Sequence, residues 1–182
     1  TRRSDTTLLD FIASGALQHD AWDAAVLTLE KLVSEASDLE PTVVCEIERQ
    51  IGLWHRDRRS DLDAAEASMH RAVAAQPERL DTLRLLASLQ RRSPGLPLVE
   101  TLLRITHADL EDLGALHEAA EVLCGIETER ARARTLLREL LQRSTDGWSG
   151  EQGERASHAS WAIDKLVDLA LEDGAAADAV EL

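Results

Sequence analysis

Six histidines, His19, His55, His70, His107, His117 and His158, are the side chains with which this chain could do proton or metal chemistry near neutral pH. None stands in an HExxH arrangement. The densest group is His117, Glu118 and Glu121, in which His117 and Glu121 share one helix face at a spacing of i, i+4. A zinc or catalytic centre needs about three ligands in a defined geometry. This group fits a solvated or groove-lining helix face better. The sequence contains no GxxxxGK[ST] loop, no GxGxxG and no GxSxG elbow. Ser93-Pro94-Gly95-Leu96-Pro97 is turn chemistry and needs no phosphate to explain it. Glu100/Arg104 and Glu139/Arg143 are expected as i, i+4 pairs, each worth ~0.2–0.5 kcal/mol to a helix. Nothing asks for an enzyme, and neither a cofactor nor a metal is expected.

Cys45 and Cys124 carry no CxxC or Cys/His ligand spacing. They read as two reduced structural thiols, which points to a reducing, cytoplasmic setting. No apolar run approaches the ~18 residues of a membrane span, and the N-terminus does not resemble a signal peptide. The chain opens Thr1-Arg2-Arg3 without methionine, so a piece of something longer is expected.

Charge is distributed unevenly. Among the 182 residues, 20 are basic and 34 acidic, a net −14 that repels a phosphate backbone. Only residues 41–92 escape the acidity, with nine basic and eight acidic side chains. Nucleic acid is therefore not an expected partner, which also disfavours an RNA-binding helical repeat. Arginine outnumbers lysine heavily and asparagine is absent, a composition typical of a GC-rich bacterial genome.

The elements that must position these groups read as helices throughout. Tyrosine is absent and Phe11 is the single phenylalanine, while Ala, Leu, Glu and Arg dominate. Leu8, Phe11, Ile12 and Gly15 mark a first helix; Trp22, Ala25, Leu29, Leu32 and Val33 a second; Val44, Ile47, Ile51 and Trp54 a third, opened by Pro41. Arg56-Asp57-Arg58-Arg59-Ser60 is expected as a charged turn, with Ser60 and Asp63 resembling a capping box for the fourth helix. That helix carries Met69, Ala72 and Val73; a fifth Leu83, Leu86 and Ala87; a sixth Leu98, Leu102 and Ile105. A seventh holds Leu116, Ala119, Ala120 and Leu123, an eighth runs from about 127 to 143, and a ninth carries Trp161, Leu166 and Leu169. Trp22, Trp54 and Trp161 are expected in the core. Trp148 is expected as a buried hinge residue beside the linker 149–153, and Gly174 is expected to end the ninth helix before an Ala-rich tail.

The helices come in pairs and the pairs recur. Ala25/Leu29/Leu32, Ala65/Met69/Ala72, Leu98/Leu102/Ile105 and Ala133/Leu137/Leu140 start 40, 33 and 35 residues apart. A helix-pair period near 34 is the tetratricopeptide signature. The stretch Asp61 to Pro77 resembles the second helix and terminal proline of the tetratricopeptide repeat (TPR) family. Ile51-Gly52 stands where that family places a Leu-Gly pair, and Leu83, Leu86 and Ala87 fall at packing positions of the following first helix. The resemblance implies an all-α, right-handed α-α superhelix forming a single domain over 1–182. Its repeats would be approximately 5–40, 41–77, 78–109 and 110–145, with a partial or capping repeat at 153–182.

The same resemblance implies that first helices line a concave groove. In that register Asp81, Arg84, Leu85, Ser88, Arg91 and Arg92 face the groove, joined by Arg49 of the preceding repeat and by Gly114, His117, Glu118, Glu121 and Cys124 of the next. The candidate partner-binding residues are thus Arg49, Arg84, Leu85, Ser88, Arg91, His117 and Glu121. Arginine forks suit an acidic peptide or a terminal carboxylate; the competing reading pairs them with local acids, such as Asp81 with Arg84. The expected function is a non-catalytic scaffold for a protein or peptide. The alternative is a helical sensor or oligomerisation segment of a larger signalling or transcription-regulatory protein.

Overall fold

The computed structural model describes residues 2–36, 38–146 and 153–172. Among them every regular element is helical: α1 (Arg2–His19), α2 (Trp22–Glu35), α3 (Pro41–Arg58), α4 (Leu62–Ala75), α5 (Leu80–Gln90), α6 (Leu96–Ala108), α7 (Leu113–Cys124), α8 (Arg130–Thr145) and α9 (Gly153–Glu172). A short 3-10 turn, Glu127–Glu129, precedes α8 where the sequence suggests unbroken helix. Trp148, the linker residues 149–152 and the Ala-rich tail with Gly174 lie outside the described residues.

The chain divides into two compact units, Thr1–Arg92 and Ser93–Leu182. The boundary falls inside the third repeat interval read from sequence, 78–109. In the first unit, α3 packs most extensively on α4, and α1 touches both α2 and α3. One core cluster joins Leu9, Ala16, Trp22, Val26, Leu29, Ile47, Ile51 and Trp54. Trp22 and Trp54 meet at 5.6 Å between centroids and 58° between planes, within the range aromatic pairs prefer. Met69, Ala72, Leu83 and Leu86 are buried as their spacing predicts; full burial of a residue such as leucine or methionine is worth about 1.5–3 kcal/mol. Gly52 lets α3 and α4 cross closely: a Cβ there would stand 2.8 Å from Met69 Cε and 3.1 Å from the Ala65 carbonyl oxygen.

In the second unit α6 packs on α7, α7 on α8 and α8 on α9, over buried Leu98, Leu102, Leu116, Ala119, Ala120, Leu123, Leu137 and Leu140. Here too a helix touches the one after next, α7 on α9. Neighbours that touch in order, with first helices meeting across the intervening second helix, are the pattern of a helical-repeat stack.

Several local expectations are corrected. Arg56, Asp57 and Arg58 belong to α3, whose last turn they form, and the turn is confined to residues 59–61. Asp61, not Ser60, caps α4, its carboxylate accepting from the Ala64 N–H at 3.0 Å. Ser60 instead takes a positive φ of 53°. Asp112 caps α7 in the same way through the Ala115 N–H. On α1 the buried side is Leu9 and Ala16, while Phe11 is 77% exposed and Leu8 also faces solvent. The spacing 8, 11, 15 is as helical as 9, 12, 16, and periodicity alone does not say which stripe turns inward.

Candidate functional site

The seven residues singled out from the sequence divide between the units. Arg49 lies on α3, and Arg84, Leu85, Ser88 and Arg91 lie along α5 or at its end, in the first unit; His117 and Glu121 lie on α7, in the second.

In the first unit α3 and α5 approach one another at Cys45 and Thr82, whose Sγ and Oγ1 are 3.8 Å apart. Arg79, which the sequence reading passed over, joins the two helices. It bridges Glu46 of α3 at 2.9 Å and forms a forked pair with Asp81 at 2.8 and 3.1 Å. Burial raises the Glu46 carboxyl, yet the hydrogen bond and charge of Arg49 together with Arg79 hold it below its usual value. Asp81 is likewise held low by Arg79 against the opposing effect of burial. The fork of Arg79 presents two N–H donors to the Asp81 carboxylate. A signal was there to read: arginine two residues before an acidic residue at a helix start.

Arg49 is half-buried and pairs with Glu46. Arg84, Ser88 and Arg91 are exposed, Leu85 is half-buried beside them, and the Ser88 hydroxyl donates to the Leu85 carbonyl at 2.6 Å. Arg84 and Arg91 each keep an interaction within the protein. Arg92 leaves this row: it reaches α4 and bonds Asp63 at 2.7 Å and Glu66 at 2.8 Å. The arginines at the end of α3 are also engaged locally, Arg56 with Asp57, Arg59 with Asp23, and Arg58 over the Trp22 ring at 4.9 Å.

In the second unit α7 and α9 run parallel, with His117 beside His158 and Cys124 within electrostatic reach of Lys165. His117 Nδ1 and His158 Nδ1 are 2.9 Å apart, one ring donating and the other accepting. The His117 ring stacks on Trp161 at 3.8 Å between centroids and 25° between planes. Burial, and then the neighbouring His158, lower the His117 pKa, opposed by Glu121. Burial pushes the Cys124 thiol up. Trp161 is only half-buried, which corrects its expected core placement: it packs against a polar imidazole and not into the apolar seam. Glu100 is bonded by Arg132 of α8, and Glu139–Arg143 forms as expected. Both cysteines are free. Among the described residues no three His, Cys, Asp or Glu side chains are grouped to hold a metal, and no helix is long and apolar enough to cross a membrane.

Helix pairs of this length, stacked so that first helices meet, define an all-α fold of the tetratricopeptide-like solenoid class. A solved structure titled "MamA MSR-1 C2", of a TPR-containing protein, is similar at a TM-score of 0.51 and 12% identity, over 95% of this chain and 91% of that one. At that identity the likeness is one of fold. No family model matches the chain, and no curated protein does.

Proposed function

We propose that this chain is a non-catalytic protein-interaction scaffold of the cytoplasm that receives an acidic peptide or an acidic segment of a partner domain. The observation that supports this reading is the row on α5: exposed Arg84, Ser88 and Arg91 above half-buried Leu85, with Arg49 on α3. The row belongs to the only stretch of the chain that is not acidic. Bidentate guanidinium contacts recognise carboxylates, and an acidic exterior elsewhere discourages non-specific acidic binders. A titration with a labelled decapeptide rich in glutamate tests the reading. Saturable binding should weaken as salt rises, and Arg84→Glu with Arg91→Glu should abolish it without lowering Tm. Binding unchanged in that double variant overturns it.

A second reading, an oligomerisation segment of a larger regulatory protein, draws support from the exposed Phe11 and Leu8 on α1. Sedimentation of the chain and of Phe11→Ser separates the two: a mass above the monomer that Phe11→Ser lowers favours it, and a monomer in both removes it.

A further inference from the structure

Trp161 is unlike Trp22 and Trp54. Those two are buried, and Arg58 closes over the first of them. Trp161 keeps part of its surface in solvent and is held by stacking on His117, which the hydrogen bond to His158 fixes in turn. An indole anchored in this way has lost its rotamer freedom before any ligand arrives, so little conformational entropy remains to be lost on binding. Its π face is the best side-chain surface for a cation, and a guanidinium, being planar and weakly hydrated, stacks on it better than an ammonium does.

The surroundings select the same ligand. Residues 93–182 carry eight basic and eighteen acidic side chains. Glu121 is exposed one turn beyond His117, near enough to act on both the imidazole and the Cys124 thiol. The nearby cations have partners of their own, Lys165 with Asp168 at 3.2 Å and Arg155 with Glu111. Burial and His158 lower the His117 pKa, which favours the uncharged imidazole beneath the indole. The chain already uses this contact internally, since the Arg58 guanidinium lies 4.9 Å from the Trp22 centroid.

We infer that the α7–α9 face of the second unit is a receptor for an arginine-bearing basic segment of a partner, with Trp161 stacked on His117 as the platform and Glu121 as the counter-charge. The inference rests on the scaffold reading and gives this face a preference opposite in sign to that of the α5 row. Each face is testable separately.

The experiment titrates the full chain with three capped decapeptides in a Gly/Ser background, carrying three arginines, three lysines or three citrullines. The arginine peptide should bind saturably, the citrulline peptide at least tenfold more weakly, and the lysine peptide between them. Glu121→Gln, at an exposed position, should weaken the arginine peptide several-fold without moving Tm. Trp161→Leu should remove the preference for arginine over lysine, and circular dichroism reports whether α9 stays folded in that variant. Arg84→Glu with Arg91→Glu should leave arginine-peptide binding intact. Equal binding of the arginine and lysine peptides, which non-specific attraction to a −14 chain would give, overturns the inference; so does wild-type binding in Glu121→Gln. In the parent chain, binding of the arginine peptide without any binding of the glutamate peptide would sink the α5 reading alone, and the converse would sink this one alone.

Discussion

Gly52 and Met69 occupy the point where α3 and α4 come closest, and the glycine leaves only enough room for the thioether methyl. A Cβ at position 52 would fall 2.8 Å from Met69 Cε and 3.1 Å from the Ala65 carbonyl oxygen. The methionine end can swing aside, but the carbonyl belongs to the α4 backbone and moves only if the helix does. Gly52→Ala should therefore destabilise the chain, with overpacking of about 1–3 kcal/mol outweighing the ~1 kcal/mol that alanine gains in helix propensity. Gly15→Ala on α1 is the control, because nothing lies within 4 Å of a Cβ built there. Denaturant midpoints should move in opposite directions for the two variants. Equal shifts would show that the α3–α4 crossing tolerates a side chain.

The seam between helices was legible in the sequence because burial there depends on repeated spacing. Ala65, Met69, Ala72, Leu83 and Leu86 are all buried, as their register predicts. The polar surface was much less legible. Arg79 has no periodic signature, and its pairing with Glu46 across 33 positions depends on how α3 and α5 meet. The His117–His158–Trp161 group joins residues about forty positions apart, and only the parallel course of α7 and α9 unites them. Phe11 misled for a different reason: α1 carries apolar residues on two sides, and among the described residues the neighbouring helices cover only the side of Leu9 and Ala16.

Leu86 is about 1% exposed within the first unit's core. Leu86→Ala should cost roughly 2–5 kcal/mol, as a buried leucine exchanged for a cavity usually does. Thermal or urea unfolding measures it. An unchanged midpoint would place the α5 register one residue off and turn the Arg84–Arg91 row with it.

His55 on α3 is about 5% exposed, and Arg59 Nη1 lies 3.0 Å from its Nδ1. Burial, then the Arg59 charge, lower its pKa from 6.5, while Asp61 and Glu30 act the other way. The folded chain therefore holds the ring neutral at a pH where the unfolded chain would protonate it. Stability from this group is intact above pH 6.5 and is lost as the pH falls through that value towards the depressed folded pKa. His117 is lowered as well and adds to the same loss. Urea midpoints should fall between pH 7.5 and 5.5, and His55→Gln should flatten that slope. A further decline below pH 4.5, where Glu46, Asp57 and Asp81 gain protons, should persist in the variant. A slope unaffected by His55→Gln would assign the neutral-pH loss elsewhere.

Glu48 is about 3% exposed at the α3–α4 contact, and its charge is met from one side only. Oε1 takes the Arg71 guanidinium at 2.9 Å, Arg71 also donates to Ser68 Oγ at 3.0 Å, and Oε2 has no protein partner. Breaking a fully buried pair by removing one partner costs about 3–5 kcal/mol; Arg71 is 48% exposed, so Arg71→Ala should cost about 1–3 kcal/mol. The loss comes chiefly from a carboxylate left in a low-dielectric contact, and neutralising the acid should therefore reverse much of it. Arg71→Ala combined with Glu48→Met should be more stable than Arg71→Ala alone and close to the parent, since an apolar side chain of similar volume needs no counter-charge there. A double-mutant cycle in urea measures the coupling. Additive effects of the two changes would mean that Glu48 and Arg71 act independently, and that the α3–α4 contact is held by the apolar seam around Gly52 alone.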